Sequence, residues 1–228
     1  MEPRPTLRGM APILAVVAAV IVLLILVAYV IKREKFSTRA TTEVRSRVDG
    51  ELYRVHDRHE NAVGAADRIA RVKTDWMELL RRLRQKYSGP AGAAYPERAR
   101  AVERLLTRYD PTAYVENSPL SGDGETSYTT DKGRQVALCL REENPGKNGI
   151  HDFERADVLF YVHLHEMGHI AAEQYGHKTE FWQTFKFLLE EAVAAGMYRP
   201  RNFERRPARY CGMTIEYCPL FHSDMVSI

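Results

Sequence analysis

Residues Ala11 to Ile31 are apolar without interruption and carry no charge. A helix needs about 20 such residues to cross a bilayer, so the pattern predicts a transmembrane helix over 11–31. Tyr29 lies near one end, where an amphipathic ring sits at headgroup level. A cleaved signal peptide has an apolar core of about 7 to 15 residues and small residues before the cut. This run is longer and ends Tyr29-Val30-Ile31-Lys32-Arg33, which favours a retained anchor.

Beyond Ile31 the pattern becomes polar and then amphipathic. Residues 32–47 read as a tether, with residues 1–10 as a tail before the anchor. Glu51 to Val55 has strand composition after a turn at Asp49-Gly50. Ala62, Ala66, Ile69, Lys73, Trp76, Leu79, Leu80 and Leu83 recur at helical spacing, predicting an amphipathic helix over Ala62 to Tyr87 that ends at Ser88-Gly89-Pro90. Its apolar face belongs to a core or, alternatively, to a partner. A second helix runs from Pro96 to Arg108, with proline at its start. Residues 126–130 and 135–140 flank Asp131-Lys132-Gly133 and read as a hairpin. Helices over Asp157 to Ala172 and Glu180 to Gly196 complete the series. The expected globular part is residues 48–219, followed by a tail over 220–228. Its class is α+β, with a small sheet.

Composition adds little against this frame. The net charge of +3 includes no long basic block, so nucleic acid is not expected as a partner. Arg4 and Arg8 precede the apolar run, whereas Lys32, Arg33, Lys35 and Arg39 follow it. By the positive-inside bias the C-terminal domain is expected in the cytosol of a single-pass membrane protein. Cys139, Cys211 and Cys218 form no C-x-x-C pair, and this odd, sparse set reads as small core residues in a reducing compartment.

The chemistry is concentrated at His165-Glu166-Met167-Gly168-His169, an H-E-x-x-H sequence just after an apolar run. On a helix, residues four apart share a face. His165 and His169 are therefore candidate ligands for one metal ion, and Glu166 is a candidate general base. Gly168 admits close approach of another element. A catalytic zinc usually has a third protein ligand. The candidates downstream are His177, Glu180, Glu190 and Glu191. His177 is preferred because Gly176 permits a chain reversal that returns it toward the pair. His163 points to a different face and reads as a core histidine, and His56, His59, His151 and His222 as surface residues. The strand 135–140 is the candidate edge for pairing with an extended peptide, or alternatively an ordinary internal strand.

The segment H-E-M-G-H, then Y-G-H, then E-F-W before a helix of F-x-F-L-L-x-E-A type resembles the WLM-type and SprT-like zinc metallopeptidases, HExxH zincins. In the WLM type the third histidine is followed, four residues on, by an aromatic residue; here that pair is His177 and Phe181. The stretches T-S-Y-T-T-D-K-G-R-Q-V-A-L-C-L-R and Y-C-G-M-T-I are similar to WLM-like proteins of large DNA viruses and algae. The resemblance spans roughly Tyr114 to Pro219. It implies a zincin-like fold, a Zn²⁺ cofactor held by His165, His169 and His177, and hydrolysis of a protein or peptide substrate with Glu166 taking the proton from water. The interval from His169 to His177 falls between the spacings of the two families. A Tyr or His side chain, with Tyr175 and Tyr210 as the tyrosines considered, is a candidate donor to the carbonyl oxygen.

The expectation is a membrane-anchored zinc metallopeptidase that touches the lipid bilayer through residues 11–31. The alternative is a non-catalytic, membrane-tethered interaction module with a degenerate peptidase fold. A zinc hydrolase acting on a nonpeptide substrate would use the same site.

Overall fold

A computed structural model describes residues 16–26, 41–57, 59–117, 126–142 and 152–228. Residues 16–26 form a helix, α1, with exposed apolar side chains. The remainder of the expected 11–31 span lies outside the described residues, and among the described residues no helix is long and apolar enough to cross a membrane. Residues from Thr41 to Ile228 form one compact unit, and those up to Ala40 belong to another.

The larger unit is α+β. Its main sheet has five strands: β1 (Thr41–Arg45), β2 (Leu52–His56), β3 (Tyr114–Asn117), β4 (Tyr128–Thr130) and β5 (Gln135–Cys139). Their spatial order is β1-β2-β3-β5-β4, with β2, β3 and β5 parallel and both outer strands antiparallel to their neighbours. β1 lies inside the stretch expected to be a tether. It pairs from Thr41↔His56 to Arg45↔Leu52, so the ordered domain begins earlier than residue 48. Its turn is fixed by Asp67, whose carboxylate accepts from the Arg47 backbone and guanidinium at 2.6–2.9 Å.

Four helices complete the unit: α2 (Ala62–Tyr87) and α4 (Ala156–Ala171) pack on the sheet, and α3 (Pro96–Arg108) and α5 (Thr179–Ala194) pack on those helices. Asn61 caps α2 by accepting from the Gly64 amide at 2.9 Å. The α2 stripe of Ile69, Trp76, Leu79 and Leu83 is buried within the domain, the first of its two expected roles. It meets Val102 and Leu105 of α3, Val136 and Leu138 of β5, Leu164 and Met167 of α4, and Phe185 and Leu188 of α5 in one core. Burying each such side chain contributes about 1.5–3 kcal/mol. Two further strand pairs are β6 (Arg141–Glu142) with β7 (Asp152–Phe153), and β8 (Ala208–Tyr210) with β9 (Met213–Ile215).

β5 is an internal strand, the second of its two expected readings, and the sheet edge beside it is β4, because β3 occupies the far side of β5. Two sequence expectations need correction. Residues 220–228 are not a loose tail. Lys186 donates to the carbonyls of His222 and Met225, Arg98 donates to that of Ile228, and Ile228 packs on the core. Finally, Cys139 and Cys211 form a disulfide across 72 residues, and Cys218 alone is a free, buried thiol. The pairing was invisible in the spacing because the β8–β9 turn folds back to the end of β5. Cys211 and Gly212 occupy that turn, both at positive φ (48° and 81°), as a tight two-residue hairpin requires.

Candidate metal centre

Helix α4 carries His165, Glu166 and His169, and its apolar residues explain its position. Val158, Leu159, Leu164, Met167 and Ile170 are all buried, so the helix is core on most of its circumference. Gly168 provides the closest approach. A β-carbon there would lie 3.2 Å from Phe181 Cε2 and 3.4 Å from Phe185 Cβ, so α5 packs directly on the backbone between the two histidines.

After α4 the chain runs through an irregular segment, turns at Gly176 (φ 78°) and presents His177 to the same point. One ligand atom from each of His165, His169 and His177 lies within 4.8 Å of the others, and the Nε2 atoms of His165 and His177 are 2.9 Å apart. Tetrahedral ligands at the usual zinc–nitrogen distance stand about 3.3 Å apart; the His165–His177 pair is close to that, and the whole set reaches it by closing in from its 4.8 Å limit. Phe181 touches all three rings, with centroids 4.7 Å from His165, 4.2 Å from His169 and 4.8 Å from His177. It stacks on His169 (24° between planes) and meets His165 and His177 edge-on, so it restricts how each ring can turn.

The electrostatics keep these rings neutral. Burial, then the neighbouring His169 and His177, holds His165 well below the ordinary histidine range. Burial, His177 and the Lys132 ammonium hold His169 at about 4, and burial lowers His177. A neutral imidazole is the form that binds a metal.

The rival third ligands are engaged elsewhere. Glu180 accepts from the backbone amides of Glu173 and Gln174 at 2.7 and 3.0 Å. Glu190 accepts from Ser227 at 2.8 Å, and Glu191 accepts from Lys86 and from the Tyr87 hydroxyl. His163 is fully buried, accepts or shares a proton with Tyr114 at 2.8 Å through Nε2, and is depressed to about 3 by burial. It is a core residue, as its spacing predicts. His56, His59 and His222 are partly buried rather than on the open surface, and none of them joins the cluster; His151 lies outside the described residues.

A cavity of about 510 Å³ opens over the histidines. Glu166 lines it and is itself largely buried. One wall is the edge of the sheet, Thr126 to Thr129; the others come from Lys132, Tyr175, Gly176 and Met213. Tyr175 is 70% exposed at this rim. Tyr210, the other tyrosine considered as a donor, is not among the lining residues: its hydroxyl donates to the Cys139 carbonyl at 2.8 Å and meets Ser127 Oγ at 2.5 Å. The run Thr126-Ser127-Tyr128-Thr129 was legible as a strand but not as the wall of the site, because only the sheet order places it at the edge.

No family model matches the chain. It is 36% identical over 116 residues to "Uncharacterized protein R325" of Acanthamoeba polyphaga mimivirus, covering 50% of this chain and 55% of that protein. It is 33% identical over 76 residues to "Uncharacterized protein 136R" of Invertebrate iridescent virus 6, covering 33% of this chain and 40% of that protein. It is also 30% identical over 80 residues to "Uncharacterized protein 042R" of Invertebrate iridescent virus 3, covering 35% and 46% respectively. The chain thus spans about half the length of the curated relatives it matches. No solved structure matches it.

Proposed function

We propose that this chain is a membrane-anchored, zinc-dependent metallopeptidase of zincin type, akin to the WLM and SprT-like peptidases. The observation that carries the reading is the convergence of His165, His169 and His177 beneath a cavity that Glu166 also lines. Three neutral imidazoles are the donor set of a hydrolytic zinc site with an open coordination position. The ion, when bound, supplies Lewis acidity toward water and a carbonyl oxygen.

The protein's own groups do the rest. Glu166 takes the proton from the attacking water and delivers it to the leaving amine. β4 borders the cavity as the sheet's outer strand, so an extended peptide can pair with it and lie across the histidines. Phe181 and the core residues of α4 hold the imidazoles in place during turnover. Residues 11–31 attach this domain to the bilayer.

The test uses the full chain, its zinc content and a mixed-sequence peptide library. Wild type is expected to carry one zinc per chain and to cleave. Glu166→Gln should keep the metal and lose about 10²–10⁴-fold in turnover, the usual contribution of a general base. His165→Ala should lose the metal. Undiminished cleavage by Glu166→Gln would remove Glu166 from the mechanism, and a wild-type chain that binds no zinc would overturn the whole reading.

A further inference from the structure

We infer that Lys132, in the β4–β5 turn, is the positioning residue that sets the third histidine in place. This rests on the metal reading above and concerns a residue to which the H-E-x-x-H pattern gives no role. The segment from Ala172 to Lys178 has no regular structure, yet it must deliver His177 to a fixed point. Lys132 Nζ donates to three carbonyls along it: His169 at 2.9 Å, Ala172 at 2.8 Å and Gln174 at 2.7 Å. An ammonium has three protons, so its donor capacity is used in full. Its charge also lies 4.6 Å from the centroid of the Tyr175 ring.

From the other side, Glu180 accepts the amides of Glu173 and Gln174. Gln174 is therefore held at both its N–H and its C=O, three residues before His177. Lys132 thus ties the carbonyl of one ligand, His169, to the segment that carries another.

The turn is built for this reach. Asp131, Lys132 and Gly133 are consecutive residues at positive φ (44°, 57° and 113°), and non-glycine residues seldom stay there unless the surroundings hold them. A β-carbon on Gly133 would sit 2.8 Å from the Arg108 carbonyl oxygen, so the turn is wedged against the end of α3. Other basic side chains cap α4 nearby: Arg108 donates to the carbonyls of Ile170 and Ala172 at 3.1 Å, and Arg104 donates to that of Ala171. Among these donors Lys132 alone reaches Gln174.

The experiment compares Lys132→Met, Lys132→Arg and Arg108→Met in the full chain. Zinc affinity is read by chelator competition and ligand geometry by the visible spectrum of bound Co²⁺. Loss of a group that orients a metal ligand commonly weakens affinity about 10–100-fold. That loss, with an altered cobalt spectrum, is expected for Lys132→Met. Lys132→Arg keeps the charge at the helix end, and so the folding, but a planar fork cannot converge on three carbonyls. It should show the same metal defect. Arg108→Met loses bonds to Ile170 and Ala172 at the end of α4 but none to Gln174, and should melt earlier while keeping wild-type affinity and spectrum. Wild-type metal behaviour in both Lys132 variants overturns the inference and leaves the metal reading standing, as does an equal defect in Arg108→Met. A wild-type chain that binds neither ion overturns both.

Discussion

Gly168 lies between His165 and His169 on the face of α4 that meets α5. The space there is smaller than a side chain needs: the added β-carbon would stand 3.2 Å from the Phe181 ring and 3.4 Å from Phe185 Cβ. Gly168→Val is expected to cost about 1–3 kcal/mol by overpacking. Gly168→Ala should cost less, since alanine recovers up to about 1 kcal/mol of helix propensity. Urea unfolding of the metal-free chain reads both, and wild-type stability in the valine variant would contradict the close approach. This glycine was legible in the sequence because it interrupts a strongly apolar helix beside a motif. Lys132 was not. A lysine in a D-K-G turn looks like any exposed turn residue, and its partners are backbone carbonyls that only the fold brings within reach.

Among the elements, those with local signals were readable and those built by distant pairing were not. Helix α2 follows from its spacing of apolar residues and its stop at Ser88-Gly89-Pro90, and α3 from Pro96 at its first position. β3 and the β8–β9 hairpin have no such pattern: β3 is short, buried on both faces and paired in parallel with β5, a partner about 20 residues on. The segment joining α4 to α5 owes its order to side chains, and it carries a pH prediction. Burial pushes the Glu180 carboxyl up, but the amides of Glu173 and Gln174 and the charges of Arg104 and Lys132 outweigh it, leaving the group below its ordinary value of 4.5. A depressed carboxylate contributes stability above its unfolded pKa and loses it as pH falls through the folded one. In the metal-free chain, corrected amide protection at Glu173 and Gln174 should therefore drop between about pH 5 and pH 3, ahead of the α4 core. Glu180→Gln should abolish that pH dependence. Protection that stays constant in wild type across this range would show that Glu180 does not hold the segment.

For the whole molecule, the disulfide and the charge pattern around the apolar run carry opposite implications for the proposed anchor's topology. If residues 11–31 span a bilayer, the basic residues following Ile31 argue for the cytosol by a narrow excess over Arg4 and Arg8. The Cys139–Cys211 bond argues instead for an oxidising compartment, since such bonds are rare where thiols are kept reduced. The bond is the stronger signal, because it belongs to a joint with several parts. Tyr210 donates to the Cys139 carbonyl, the Cys139 amide donates to Ser127, and the buried Glu154 carboxylate accepts the Cys211 amide at 2.7 Å. That joint holds the β8–β9 hairpin, whose Met213 lines the cavity, against the end of β5. Closing a loop of 72 residues stabilises the fold by about 4 kcal/mol in the chain-entropy account. Chain purified without reductant and alkylated after denaturation is therefore expected to show one modified thiol, that of Cys218, and to gain two more after reduction. Cys139→Ser with Cys211→Ser should lower the unfolding free energy by about 2–4 kcal/mol. Three modified thiols without reductant would remove the argument for an oxidising compartment and would leave the hairpin held by its hydrogen bonds and by the packing of Ala208, Tyr210 and Ile215 on the core.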